Sequence, residues 1–355
     1  MACAPHRPAG QVKAGTRKIC IITGTSSGLG RECAKALVDR KDQFVVCGVR
    51  DPVKMRQVAK ELNFPSDSYV ILPLDLASFE SVKKFVRDIK AFQFGRPIDS
   101  LICNAAVYQP ALKTPKWTID GFEQQLQINH LSHFLLCSLL INDMKGAKDP
   151  RMIIVGSITG NKNTVGGGLV WPQASLGNMK GLEEGAKNPI AMPDGKTFNG
   201  AKAYKDAKMM NMMTVNELHR RFHQSTGITF SSMYPGCIAE TALFREKRTW
   251  YGRNALLFVA LLFVAFWRLS SLFPVFMKYV TGGYVGQQEA GERLAQCVWD
   301  PECKKSGIYW SWNGGAKTVG VIGIDGTVTG AGGAGGAIFE NDQSDLVRDA
   351  KAAKK

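Results

Sequence analysis

No two cysteines of this chain stand at C-x-x-C spacing, and their number, nine, is odd. A zinc cluster or a disulfide framework is therefore not expected, and a reducing compartment fits. Acidic residues are scarce: 30 Asp and Glu against 45 Lys and Arg leave a net charge of +15. That balance suits an anionic ligand or surface. Nucleic acid is not an expected partner, because no nucleic-acid-binding motif is present. The basic segment Met1–Lys18 lacks acids and an apolar stretch. It does not read as a secretory signal but as a basic arm (1–17) or a transit-peptide remnant. Long apolar runs are missing as well. Ala255–Trp267 is uncharged and apolar but is flanked by Arg253 and Arg268. It is shorter than the about 20 residues that span a bilayer. Within the segment 241–280 it reads as a lid over an apolar ligand or a helix dipping into a membrane interface, with a plain core helix as the alternative.

What the chain does have is alternation. Hydrophobic residues make up 45%, enough for a substantial core. Strand patterns run over Lys18–Thr23, Phe44–Val49, Tyr69–Leu74, Ser100–Cys103, Arg151–Gly156 and Ile228–Tyr234. Helical spacing covers Leu29–Arg40, Asp51–Leu62, Phe79–Phe92, Phe122–Leu140 and Ala201–Phe222. Such alternation predicts an α/β fold: a single Rossmann-type, doubly wound parallel sheet with helices on both faces. The rhythm breaks after the fifth strand, where 158–200 reads as an ordered insertion or binding loop. The Rossmann-type domain is placed at 18–313. A glycine-rich loop from Gly314 to Gly336 follows, then a charged tail, Asn341–Lys355, expected to be frayed or a short exposed helix.

Ligands of such sheets bind outside the carboxyl ends of the strands. The first strand runs into Thr23-Gly24-Thr25-Ser26-Ser27-Gly28-Leu29-Gly30. Glycines there let the backbone approach a pyrophosphate, and the following helix supplies open amides. No Gly-Lys-Ser/Thr follows directly, which excludes a P-loop. Arg50 stands just past the second strand, where a cation suits the 2′-phosphate of NADPH, with Lys54 one turn on. Asp51, if turned inward, would favour NAD instead. Asp75-Leu76 ends the third strand; Asp75 can hold an adenine amine or cap a helix. Asn104, Ala105 and Ala106 end the fourth strand and permit close cofactor approach. Asn129 lies mid-helix, where Asn is mildly unfavourable, which suggests a task such as holding a backbone kink or a water. Ser157 tips the fifth strand. Tyr204 and Lys208, four residues apart, share one helix face. A nearby cation is expected to lower the phenol's pKa from about 10 and ready it for proton transfer.

These segments, with Tyr204-Lys205-Asp206-Ala207-Lys208 and Pro235-Gly236, resemble the short-chain dehydrogenase/reductase family. Further segments resemble its light-dependent protochlorophyllide oxidoreductase branch: Gly160–Thr164, Asp194–Asp206, Tyr234–Ala239 and Ser306–Asn313. The similarity runs from about Lys18 to Asn313. Lys247–Trp267 and Gly314–Gly336 depart from the pattern. The resemblance implies NADPH as cofactor and protochlorophyllide as substrate, with light-driven transfer of a hydride to C17 and a proton to C18. It implies that Tyr204 positions the pigment and sources the proton, that Lys208 binds the nicotinamide ribose, and that Ser157 and Asn129 complete the set. Pro235 and Gly236 would pass close to the nicotinamide. Cys237 would act as proton donor or pigment contact, and Tyr234 would meet the substrate carboxylate. It places the protein in a plastid, peripheral to thylakoid or inner membranes, or at a cyanobacterial thylakoid surface, with homo-oligomers left open. Two other readings remain: an ordinary reductase of a lipid or retinoid carbonyl, and a non-catalytic dinucleotide-binding scaffold at a membrane.

Overall fold

The computed structural model describes residues 14–93, 95–185, 190–238, 243, 284–313, 321–322, 328–329 and 334–354. Strands β1 (Lys18–Thr23), β2 (Gln43–Val49), β3 (Tyr69–Pro73), β4 (Ser100–Cys103), β5 (Arg151–Val155), β6 (Thr229–Met233) and β7 (Ile308–Trp312) are nearly continuous in apolar or small residues. That composition suits parallel strands covered on both faces. They form one eight-stranded sheet with the edge strand Ile338–Glu340, in the order edge–β7–β6–β5–β4–β1–β2–β3. Every pairing is parallel except that of the edge strand with β7.

Alternate residues of the strands serve opposite faces. Ile19 and Ile21 enter the core under helices α3 (Phe79–Gln93), α5 (Ser132–Leu140) and α7 (Gly200–Thr226), the last preceded by the short α6 (Lys180–Glu184). Cys20 and Ile22 enter the other, under α1 (Gly28–Asp39), α2 (Pro52–Glu61) and α8 (Gln287–Trp299). Helix α8 approaches α1 so closely that a Cβ on Gly291 would lie 2.3 Å from Glu32 Cβ. Strand β1 pairs with both β2 and β4, so the chain order reverses beside its carboxyl end. A crevice opens at such a reversal.

The doubly wound architecture is the expected one. Three parts differ from the sequence reading. The helix expected over Phe122–Leu140 begins at α4 (Gln124–Leu126) and widens into a π turn over Gln127–Leu131 before α5. Helix α8, β7 and the edge strand were not anticipated as elements. The tail is not frayed but forms two short helices, Asp345–Arg348 and Ala350–Lys354; the second, with no buried residue, is the expected exposed one. The tail peptide at Asp342 and Ser344 is bonded to Asn161, and Asn216 donates to Gln343 Oε1 and Val347 O. Val347 is buried in a short helix, Asp345–Arg348. Polar contacts with Asn161 and with Asn216 of α7, together with burial of Val347, hold it, and the local pattern of the tail does not show them.

Of the basic arm, Gly15–Arg17 is pinned by Arg96, which donates to Gly15 O and Arg17 O; residues 1–13 lie outside the described residues. So does the apolar segment 241–280, apart from Leu243. Within Gly314–Gly336 the structure describes an antiparallel pair, Val321–Ile322 with Val328–Thr329, and residues 334–336. Among the described residues no helix is long and apolar enough to cross a membrane.

Candidate active site

The glycine turn is folded down on the tip of β4. Thr23 Oγ1 accepts from the backbone N–H of Asn104 (2.9 Å) and Ala105 (3.0 Å). Asn104 Nδ2 donates back to Thr23 O at 2.8 Å and Gly24 O at 3.2 Å. Gly24 and Gly28 hold left-handed φ values of +78° and +56°. A Cβ on Gly30 would sit 2.3 Å from Gly24 O, and one on Gly24 would sit 2.9 Å from Ala105 Cβ. Side chains are excluded there, and backbone lines the crevice. Ser27 is exposed, extended, and makes no side-chain cap, so the first amides of α1 stay open to an anion. Ser26 and Leu29 are half-buried beside it, and Ala106 is half-buried beyond β4. This cradle fits a dinucleotide pyrophosphate.

At the end of β2, Asp51 does not turn into the crevice. Its Oδ1 accepts from Lys54 N at 3.0 Å and caps α2. Arg50 and Lys54 are left exposed as cations at the strand end. Asp75 closes its own turn, accepting from Ala77 N at 2.9 Å, while Leu76 is buried and its carbonyl accepts from Ser132 Oγ.

Asn129 sits inside the π turn. Its amide clamps the loop after β4, accepting from Val107 N (2.8 Å) and donating to Val107 O (2.9 Å). The carbonyl freed by the widened turn accepts from Asn211 Nδ2 at 3.0 Å and meets His133 Nδ1 at 3.3 Å. The other nitrogen of His133 lies 3.0 Å from Thr23 Oγ1. Asn129 thus ties the glycine turn, α5 and α7 together. Burial drives both histidines of this region neutral: His130, bonded to Asn211, falls to about 4, and His133 to about 3.

Tyr204, Lys208 and Asn211 lie on one face of α7, as the spacing requires. Tyr204 is 8% exposed, hydrogen-bonded to Ser157, and packed on Tyr108 with ring centroids 4.6 Å apart. Ser157 Oγ also meets Thr159 Oγ1 at 2.9 Å. Lys208 Nζ donates to Val155 O at 2.7 Å and lies 5.7 Å from the centre of the Tyr204 ring. The expected lowering of the phenol's pKa is not found. Burial, with Tyr108 second, raises it, and the Ser157 bond only partly opposes this. Burial also brings Lys208 down to about 8. Desolvation outweighs the ion–phenol attraction that helical spacing alone suggested.

The turn after β6 closes the site. Tyr234 is buried and its N–H donates to Trp310 O at 2.9 Å; burial and then Cys237 raise its phenol. Gly236 has φ +107°, which demands glycine, and Arg293 of α8 holds the turn through Pro235 O at 3.0 Å. Cys237 is half-buried and close enough to Tyr204 and Tyr234 to act electrostatically on both; the other described cysteines are buried. Cys103 is one of them, 3.6 Å from Cys137. Sequence reasoning missed Tyr108, His133, Asn211 and Arg293. For two of these a signal was present: His133 follows Asn129 by one turn, and Asn211 follows Lys208 by nearly one.

A parallel sheet with a glycine turn at its reversal point and a Ser–Tyr–Lys group on the neighbouring strand end and helix defines a short-chain dehydrogenase. The family model described as short chain dehydrogenase matches residues 18–170. Solved structures share the fold at low identity. An actinorhodin polyketide ketoreductase with NADPH aligns at TM-score 0.58 and 16% identity, over 84% of this chain and 96% of that one. A short-chain dehydrogenase/reductase (glucose/ribitol dehydrogenase) from Brucella melitensis aligns at TM-score 0.55 and 17%, over 86% and 97%. Curated relatives are much nearer. "Protochlorophyllide reductase, chloroplastic" of Chlamydomonas reinhardtii is 51% identical over 84% of this chain and 70% of its own length. Protochlorophyllide reductase B of Hordeum vulgare is 45% identical over 99% and 79%, and protochlorophyllide reductase A of Arabidopsis thaliana is 50% identical over 82% and 68%. The chain belongs to the protochlorophyllide reductase family of short-chain dehydrogenases.

Proposed function

We propose that this protein reduces the C17=C18 double bond of protochlorophyllide to chlorophyllide, with NADPH as reductant and light as trigger, in chlorophyll biosynthesis. The observation that carries the reading is the convergence of Tyr204, Ser157 and Lys208 with the Tyr234–Cys237 turn, at the strand ends next to the glycine turn. Identity of 51% and 50% to chloroplastic protochlorophyllide reductases supports it and supports a plastid location. Peripheral contact with thylakoid or inner membranes belongs to the same proposal.

In this reading NADPH, when bound, supplies the hydride that C17 receives. Gly24, Ser26, Ser27, Gly28, Leu29 and Gly30 hold its pyrophosphate, and Asp75, Leu76, Asn104, Ala105 and Ala106 line the nucleoside side. Arg50 and Lys54 meet the 2′-phosphate as exposed cations on the β2 rim. Lys208, Pro235 and Gly236 border the nicotinamide end. Tyr204 stays protonated at neutral pH because its burial disfavours phenolate. It therefore holds a proton ready for C18, with Ser157 fixing the hydroxyl's direction. Cys237 is the second proton-bearing group beside the reacting edge, and Tyr234 borders the same space. Asn129 acts through backbone, by fixing Val107 and the Thr23–His133 contact.

The test is a flash experiment. Protein, NADPH and protochlorophyllide are mixed in darkness and then illuminated. A light-gated shift of the pigment absorbance to that of chlorophyllide is expected. NADPH oxidation in the dark with lipid carbonyls, and no pigment shift after the flash, would refute the assignment.

A further inference from the structure

Helix α7 is read from two sides. Tyr204, Lys208 and Asn211 face the site; Lys202, Lys205 and Asp206 have no part in the chemistry above. These three are sequestered, and their contacts run into the insertion. Lys202 Nζ donates to Asp206 Oδ2 at 2.6 Å and to Ser175 O at 2.7 Å. It also lies 3.0 Å from Asp194 Oδ2, an ion-pair contact without hydrogen-bond alignment. Asp206 Oδ1 accepts from Ser175 N at 2.8 Å, and Lys205 Nζ donates to Val170 O at 2.6 Å. The carboxylates of Asp194 and Asp206 are 1% and 0% exposed.

Cohesion between the insertion and the helix does not need these charges. Ala174, Leu176 and Met179 already join Met209, Met210 and Met213 in one apolar cluster. Apolar contacts are non-directional, whereas buried ions are costly unless each finds a partner at a set place. Lys202 and Asp206 fix the peptide at Ser175 and the turn at Asp194 relative to one helix face, and Lys205 separately holds Val170 O. The insertion there carries Val170 and Trp171, an apolar pair 48% and 78% exposed. Glycines keep the insertion tight: a Cβ on Gly181 would fall 1.9 Å from Met192 O, and one on Gly177 would fall 2.9 Å from Asp194 Cβ.

We infer that Lys202, Asp206 and Asp194 form a positioning clamp that sets the insertion after β5 in register with Tyr204, so that a broad aromatic substrate is held against the reacting edge. The inference rests on the photoreductase reading, because a wall held in register matters to a substrate that lies against it. The residues of the clamp touch neither substrate nor cofactor.

The test compares full-length wild type with Asp206→Asn, Lys202→Met and Asp194→Asn. NADPH binding is titrated in darkness, and flash photoreduction is measured against pigment concentration. For Asp206→Asn and Lys202→Met the pigment KM is expected to rise about tenfold, with kcat and the NADPH Kd changed less than about twofold. Asp194→Asn should give a smaller rise. Combined with Lys202→Met, it should raise KM by less than the product of the single effects, because both act through one cluster. Lys202→Arg should recover much of the loss. An unchanged KM, or equal losses of kcat and NADPH binding, overturns the clamp. Should Asp206→Asn not fold, Lys202→Met and Asp194→Asn decide the matter. Wild-type protein that does not photoreduce the pigment refutes the function, not the clamp. Hydrogen exchange then decides the latter: amides around Ser175 must exchange faster in the variants while the glycine turn keeps its protection.

Discussion

Acid should loosen this protein through two histidines beside the site. His130 and His133 are buried on the π turn and α5, and burial lowers them to about 4 and about 3. An unfolded chain returns both to about 6.5. The folded state therefore binds fewer protons than the unfolded one between these values. The stability they support is fully present above the unfolded pKa and drains away as pH falls through the window toward the folded one. At about pH 5 the linkage relation gives a loss near 2 kcal/mol for each ring, about 4 kcal/mol together, relative to about pH 7.5. That figure hardly depends on the folded values once they lie well below the working pH. It is a large share of the roughly 5–15 kcal/mol that holds a domain folded. Urea unfolding at the two pH values measures it. His133→Asn and His130→Asn begin less stable, since each loses a contact, but each should show a pH-dependent loss about 2 kcal/mol smaller than that of wild type. Carboxylates titrate alike in all three proteins and cancel in the comparison. Variants that lose as much stability with acid as the wild type would refute the reasoning, because neutral burial of the rings would then not be the cause.

The remaining expectations concern the site directly. Tyr204→Phe should keep NADPH affinity within about twofold and cut photoreduction on the order of a hundredfold or more, read from single-flash yields. Arg50→Glu should raise the NADPH Kd by about tenfold or more while leaving NADH binding nearly unchanged, as titrated by nicotinamide fluorescence. Gly30→Ala should cost about 1–3 kcal/mol of stability and weaken NADPH binding, because the added methyl meets the backbone of Gly24; calorimetry and the same titration check it. Lys208 falls to about 8, so activity that needs its ammonium should decline as pH rises through that value. In Lys208→Arg the alkaline limb should move up beyond the measurable range, since the guanidinium stays charged.

Much of the fold was legible because parallel strands advertise themselves as short apolar runs and their ends point to the crevice. Tyr204, Lys208, Ser157, Asn104 and the glycine turn could be placed from spacing alone, and a mid-helix Asn129 foretold the distorted turn around it. Tyr204's proton affinity was not legible. Helical spacing reveals the neighbouring Lys208, but the burial that dominates, and after it the influence of Tyr108, come from residues far away in sequence. The docking of the tail was missed for a related reason. Asn341, Gln343 and Ser344 look like solvent-facing residues, yet they are buried, and nothing local marks Asn161 or Asn216 as the places where the tail docks. Helix α8 is mildly amphipathic, with Gly291 at its centre, and that glycine makes sense only once α1 is packed against it.

The docking of the tail has a consequence for how the protein is made. Asn161 stands just after Ser157, and two of its amide contacts are to residues 181 and 183 positions downstream. At ribosomal speeds of about 5–20 residues per second, those positions are synthesised roughly ten to forty seconds later. The nucleotide cradle, built between β1 and β4, can form on the nascent chain well before that. The contacts that anchor the start of the insertion close only after those later positions have been made, so a newly translated molecule can complete its glycine cradle before it secures the segment that follows Ser157.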